Sequence, residues 1–269
     1  MMHETYWMLR RMMRYPQAAL IKWRVDIASW RRFWQDYDRY RRLAPADKKP
    51  DVKHLYPCLG DDTSQTPVEP IYFYQDTWAF EKITRRRPAA HVDVGSHHNF
   101  VAFLSKVLPV TMVDIRPLSL PLDTLGFRQG SILALPYEDE SVESLSSLCV
   151  VEHIGLGRYG DPLDPDGSEK AVRELMRVLR PGGDLYISLP IEDECRTYFN
   201  AQRTFAEWYL EDLFRPFTVM EKRYIQAARL VEQRQDGFCI GLYHLQKPDD
   251  IKAVQKTIQA GLRGTKDAR

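Results

Sequence analysis

The chain has 269 residues, 44% of them hydrophobic and 28% charged, with a formal net charge of +1, which suits one large folded domain plus an appendage. No apolar run approaches the roughly 20 residues of a membrane-spanning helix. The four cysteines, Cys58, Cys149, Cys195 and Cys239, stand far apart, with neither a CxxC pair nor a Cys/His cluster at metal-ligand spacing, so they read as reduced thiols and no metal is expected.

The opening segment, MMHETYWMLRRMMR, lacks the apolar core and small-residue cleavage site of a signal peptide, and a cytoplasmic protein is expected. Charge is uneven along the chain. Residues 1–43 carry ten Lys or Arg against four Asp or Glu, and the rest carries 28 against 33. The basic character therefore belongs to the N-terminal arm.

Within that arm, Trp23, Ile27, Trp30, Trp34 and Tyr37 recur in steps of four and three, which predicts an amphipathic helix over about 20–42 with an aromatic stripe. Such a stripe packs on the main domain or on a second copy of the chain. Interleaved with arginines, it also suits peripheral contact with an anionic membrane surface, or less readily nucleic acid. Residues 44–70, rich in Pro and Asp, form a linker, so residues 1–70 make an arm and linker, 71–248 the main α/β domain and 249–269 a helical tail.

IYFYQDTWAFEKI is read as a helix that ends at the run Arg85–Arg87, a solvated surface. HVDVGSHHNF then gives a short buried strand, a turn at Gly95-Ser96 and a helix with Phe100, Phe103, Leu104 and Val107 on one face. A strand, tight turn and helix start form the usual seat of a nucleotide-like ligand. LPVTMVDI is a second strand ending in Asp114, 21 residues after Asp93, where an acid can hold a ribose.

Gly130 to Ile132 suggests an edge strand, and Leu145 to Val151 a central one. After the loop EHIGLGRYGDPLDPDGS, Ser168 is expected to cap a helix through Leu179, and DLYISLP is a further strand. A helix within 201–214 and two closing strands, FTVMEKRYI and GFCIGLYHLQKP, complete the domain. Ile251, Val254, Ile258 and Leu262 predict the tail helix. Alternation of strand and helix argues a doubly wound, mostly parallel sheet with an antiparallel closing strand.

In order, HVDVGS, VDI, GSILALPYEDESVESLSSLCVVEHI and VLRPGGDLYISLP resemble the class I S-adenosylmethionine-dependent methyltransferase superfamily, which implies a Rossmann-like sheet and S-adenosylmethionine as cofactor. The loop GLGRYGDPLDPDG and the segment YFYQDTWAF resemble a methyltransferase-like branch associated with surface-polysaccharide biosynthesis, which implies a sugar or glycan-related substrate.

The resemblance puts Asp93, Gly95, Ser96 and His97 at the cofactor's amino-acid end, Asp114 on the ribose hydroxyls and Ile115 beside the adenine. Ser131 and Ile132 fall at the adenine's other edge, and Leu148 and Cys149 under the cofactor. His97 and Asn99 stand where second and third glycines are common in the family.

Methyl transfer asks mainly for alignment of donor and acceptor. A hydroxyl acceptor would also need a base, and His153, just beyond the fourth strand, is the candidate; the same Glu-His-Ile segment also suits a structural role. Asp161, Asp164 and Asp166 suit turn chemistry, and less readily a polyol or a divalent cation.

The rival is a noncatalytic methyltransferase-like module that binds a glycan-assembly partner or a membrane surface through its arm. A nucleic-acid methyltransferase would need a basic face, which the acidic residues 44–269 do not provide. A nicotinamide dehydrogenase would need G-x-G-x-x-G, and this turn offers only Gly95.

Overall fold

The computed structural model describes residues 16–249, and the chain divides into two compact units, 1–68 and 69–269. The helix expected over 251–262 lies outside the described residues.

In the first unit, helix α1 (Pro16–Leu43) is continuous. Its rings at Trp30, Phe33, Trp34 and Tyr37 meet edge to face, with successive centroids 5.7, 5.3 and 5.6 Å apart, the geometry that aromatic quadrupoles favour. Two short 3₁₀ turns follow, Ala46–Lys48 and Val52–His54, and Arg32 pairs with Asp62. No described helix is long and apolar enough to cross a membrane.

The second unit opens with α2 (Pro70–Arg86). The Glu69 carboxylate accepts from the Tyr72 amide, Pro70 supplies the preset φ of a first turn, and Arg87 closes the helix in the left-handed region at φ 52°. The sheet that follows holds β1 (His91–Val94), β2 (Val110–Asp114), β3 (Leu125–Gln129), β4 (Val142–Leu148) and β5 (Leu179–Ile191). Further along come a hairpin of β6 (Arg196–Tyr198) and β7 (Gln202–Thr204), then β8 (Thr218–Gln226), β9 (Arg229–Val231) and β10 (Cys239–Gln246).

The order across the main sheet is β3-β2-β1-β4-β5-β10-β8-β9, parallel from β3 to β5, with β10 antiparallel to both β5 and β8. Connections reverse direction between β1 and β4. That is the switch point at which open α/β sheets leave a crevice beyond the strand ends.

The central strands are buried on both sides, which is why VDV and YISLPI read as apolar runs rather than alternations. On one face α2 and α3 (His98–Leu104) bury Trp78, Ile83, Phe100, Val101 and Leu104 against Met112, Leu148 and Tyr186. On the other, α4 (Gly167–Val178) and α5 (Glu207–Leu213) bury Val172, Leu175 and Leu210 against Leu145, Leu185 and Ile187. Each such side chain contributes about 1.5–3 kcal/mol of transfer free energy.

Several sequence expectations change. Helix α3 stops at Leu104, so Val107 is exposed, and Phe103 points outward while Val101 takes the buried place. The edge strand is Leu125–Gln129, ahead of Gly130 to Ile132, and Ser131 makes only an isolated bridge to Ala134. Gly126, small beside Thr111, hid the strand from a pattern search. Strand β4 ends at Leu148, three residues early, because Cys149 turns the chain at φ 51°.

Ser168 lies inside α4, where its hydroxyl donates to the Val151 carbonyl at 2.8 Å; Asp166 takes the cap position. The β6–β7 hairpin was not foreseen, and within the Arg85–Arg87 run Arg86 makes a two-pronged pair with Asp184 at 2.8 and 3.2 Å.

Candidate active site

A cleft of about 950 Å³ opens beyond the carboxyl ends of β1, β2 and β4, and a smaller one of about 100 Å³ continues from it. Both share Gly95, Asp114, Cys149, His153 and Tyr159. Ile115, Ser131 and Ile132 line the smaller one, with Val150 and Ile154, so this slot is largely apolar. Ser96, His97 and Leu148 line the larger.

Gly95 turns the chain at φ +73°, and a Cβ there would stand 3.1 Å from Val150 Cγ1. Only glycine adopts this conformation cheaply. His97, at φ −63° and ψ 130°, is extended, and neither it nor Asn99 has a positive φ. The turn therefore asks for one glycine, and the bulkier residues after it carry no backbone strain. The His97 ring lies 4.9 Å from Tyr72 and 4.3 Å from His98. Burial, with His98 alongside, lowers its pKa.

Asp93 lines neither cleft and lies beneath the turn, fully buried. One of its oxygens accepts from the Ser96 amide at 3.0 Å and the other from the Ser146 hydroxyl. Burial raises its pKa to about 6. The Ser96 hydroxyl accepts from the Leu148 amide at 2.9 Å, which latches the turn to the end of β4.

Asp114 ends β2 with its side chain 13% exposed. Its Oδ1 accepts from the Arg116 amide at 2.8 Å, while Oδ2 has no hydrogen-bond partner among the described residues. At the rim, the guanidinium carbons of Arg116 and Arg158 lie 4.6 and 5.1 Å from the Tyr159 ring centre, an arrangement that favours cations on the ring faces.

His153 closes a 3₁₀ turn beyond β4. Its Nδ1 lies 2.7 Å from the carbonyl of Ala201, on the β6–β7 hairpin. A carbonyl can only accept, so Nδ1 carries the proton and Nε2 keeps its lone pair. Burial lowers the pKa of the ring, which keeps the imidazole neutral and basic at neutral pH.

The aspartates of the following loop serve the turns. Asp161 accepts from the Gly155 amide at 2.6 Å, and Asp164 accepts from the Asp166 amide and pairs with Lys170. Among the described residues no group of three or more His, Cys, Asp or Glu side chains is placed to hold a metal ion. Gly155 is strict: at φ +82°, a Cβ would fall 2.1 Å from the Asp164 carbonyl oxygen. Gly155→Ala is expected to cost about 1–3 kcal/mol, read as a lower midpoint in urea.

Sequence reasoning assigned no role here to α2 or to Glu152. Tyr72 from α2 lines the larger cleft. Behind it, the buried Gln75 accepts from Cys149 Sγ and Ser188 Oγ at 3.2 and 2.9 Å. Burial pushes Cys149 well above the usual thiol range, so it stays protonated. Burial likewise raises Asp76 to about 7. Glu152, 2% exposed on the cleft wall, is raised by burial to about 8. Its signal, an acid beside His153, was visible but could not be separated from a surface turn without knowing its burial.

Residues 136–238 match a family described as a Caenorhabditis protein of unknown function, DUF268. No curated protein matches the chain by sequence. Among solved structures, the chain is similar to a 1,6-didemethyltoxoflavin-N1-methyltransferase of Burkholderia thailandensis, crystallised with 1,6-didemethyltoxoflavin and S-adenosylhomocysteine. That likeness is 18% identical over 65% of this chain and 79% of that one, with a TM-score of 0.50.

It is similar also to the N-methyltransferase NodS of Bradyrhizobium japonicum, 18% identical over 70% of this chain and 99% of that one, again with a TM-score of 0.50. The fold is that of the class I S-adenosylmethionine-dependent methyltransferases.

Proposed function

We propose that this chain is an S-adenosylmethionine-dependent methyltransferase that acts on a hydroxyl of a sugar or another small polar acceptor. The observation that carries the reading is Asp114: a carboxylate fixed at the end of β2, one oxygen tied to the backbone and the other free, beside an apolar slot. An ionised carboxylate accepts from a vicinal diol through two oxygens, and the slot formed by Ile115, Ile132 and Val150 suits a flat base. Gly95, without a Cβ, lets the chain pass close to a ligand. These residues fit a nucleoside-bearing cofactor, and the Burkholderia relative binds S-adenosylhomocysteine in the same fold.

When bound, the cofactor would supply an activated methyl group on a positively charged sulfur. The chain's part is to align the acceptor with it and to remove the acceptor's proton. His153 is suited to the second task, with Nδ1 held by the Ala201 carbonyl and Nε2 basic. Polar and aromatic groups at the rim, Arg158, Tyr159 and Gln202 among them, suit a polyol acceptor.

Calorimetric titration of S-adenosylmethionine into the folded protein tests the reading, and neither heat nor a thermal shift would overturn it. Asp114→Ala is expected to weaken binding about 10- to 100-fold, the loss of hydrogen bonds to a charged group. Among the described residues its side chain bonds only to Arg116, so the fold should be spared. A methyl-transfer screen against nucleotide sugars and glycans then tests the acceptor class.

A further inference from the structure

Glu152 has no task in the reaction as described, yet it occupies the cleft wall in an unusual state. Five buried side-chain atoms among the described residues lack a hydrogen-bond partner: Glu152 Oε2, Glu169 Oε2, Tyr186 OH, Arg234 Nε and Tyr243 OH. Only Glu152 belongs to a residue lining the cleft. A buried, unpaired carboxyl oxygen costs about 1–3 kcal/mol unless something arrives to meet it.

The groups packed around it offset only part of the cost of burying a charge there. His153 Nε2 stands 3.7 Å from Oε1, beyond hydrogen-bond reach, and that ring is held neutral. The Cys149 thiol, at the end of β4, stays protonated. Arg158 donates to the Ala201 carbonyl. On β7, the guanidinium of Arg203 is spent on the carbonyls of Ile154, Asp164 and Pro165 and on Ser168 of α4. On α2, Tyr72 and Asp76 add no positive charge, and on β5 Ser188 is bonded to Gln75 and Cys149. Burial outweighs the Cys149 thiol and the Arg158 guanidinium, both of which favour the anion, and keeps Glu152 protonated at neutral pH.

We propose that Glu152 is the counter-charge for the sulfonium of the cofactor, so that the cleft takes S-adenosylmethionine in preference to its demethylated product. The proposal rests on the methyltransferase reading above. A permanent positive charge brought into the cleft beside a carboxyl that is itself 2% exposed would favour the carboxylate. Glu152 then gives up its proton to solvent as the cofactor enters. In the transfer, the carbon–sulfur bond breaks, the sulfur keeps the electron pair and becomes neutral, and the acceptor's oxygen forms the new bond to carbon as His153 takes its proton. Glu152, left without a partner, recovers a proton from solvent, and product release is favoured.

S-adenosylmethionine and S-adenosylhomocysteine carry the same ammonium and carboxylate and differ in the charge on sulfur. Titration calorimetry of both ligands at pH 7, in two buffers of different ionisation enthalpy, therefore isolates the effect. S-adenosylmethionine should release close to one proton and S-adenosylhomocysteine close to none. Affinity for the former should rise with pH between about 6 and 8, by up to about tenfold per unit, because the ionised form of Glu152 is the binding form.

Glu152→Gln should flatten that dependence, abolish the release and bring the two affinities together, whereas Asp76→Asn should leave the release in place. Equal proton release with both ligands would overturn the proposal, since it would point to the shared ammonium. Release that persists in Glu152→Gln, or vanishes instead in Asp76→Asn, would overturn it as well. The wild-type comparison stands even if a variant misfolds. Failure of both ligands to bind would instead reject the methyltransferase reading itself.

Discussion

Replacing His153 with glutamine is expected to lower kcat about 10²- to 10⁴-fold, the range for loss of a positioned general base, while cofactor affinity stays within about twofold. The separation follows from the ring's surroundings. Nδ1 is committed to the Ala201 carbonyl at 2.7 Å, and glutamine can keep a donor there without supplying a basic nitrogen. The lowered pKa fixes the sign of the pH dependence. Activity should rise with pH through a limb below 6.5, as the imidazole loses its proton, and should be flat above it with respect to this group. Steady-state kinetics on an acceptor from the methyl-transfer screen, paired with calorimetry, reads both quantities. An unchanged kcat, or a parallel collapse of affinity, would remove His153 from the proton-transfer role.

Most of the sheet was legible because its central strands are short apolar runs bounded by turn residues, and burial on both faces demands that pattern. HVDV and VTMVD therefore announced β1 and β2, and Asp114 announced itself as a polar residue at the end of an apolar strand. What escaped was decided by tertiary contacts. In the β6–β7 hairpin β6 is exposed and β7 is polar in sequence though Arg203 and Thr204 are buried, so neither shows a period; it stands because Arg203 meets backbone carbonyls some 40 to 50 residues earlier in the chain. Val101 replaced Phe103 in the core because α3 lasts only seven residues, too short for its face to be set by period alone.

The same limit applied at the site. Gly95, Asp114 and His153 are recognisable as residue types at strand ends. The state of Glu152 depends on burial between elements that meet only in the folded chain, and His153 owes its tautomer to a carbonyl on the unforeseen hairpin.

Asp93→Ala is the second large effect, and here the fold reverses what the sequence suggests. As a cofactor-lining residue at a strand end, Asp93 should be removable with the fold largely intact. Its actual position makes it the end of a chain of directed hydrogen bonds. Ser146 donates to the Asp93 carboxylate, so its oxygen is free to accept from His91 Nε2 at 2.9 Å, and His91 Nδ1 in turn accepts from Ser144 at 2.8 Å. Burial lowers the His91 pKa to about 3, which keeps the ring neutral and able to play both parts.

Alanine at 93 would strand the Ser96 amide and leave the Ser146 hydroxyl without its acceptor, beside a cavity. We expect a loss of about 3–5 kcal/mol and a fall in Tm of about 6–20 °C for a unit of about 200 residues. Cofactor affinity should fall as well, through the Ser96 latch on Leu148.

The pH dependence supplies a sharper check. The Asp93 carboxyl is raised from 3.8 to about 6 in the folded protein, so between those values the native state holds a proton that the unfolded chain has lost. Its contribution to stability is complete below pH 3.8 and declines as pH rises to about 6, by up to about 3 kcal/mol. The difference in stability between the wild type and Asp93→Ala should therefore be larger at pH 4.5 than at pH 7 in denaturant titrations. A difference that grows toward neutral pH would show that the carboxyl is stabilised as an anion, and would refute the account of Asp93 as a residue held by burial beneath the turn.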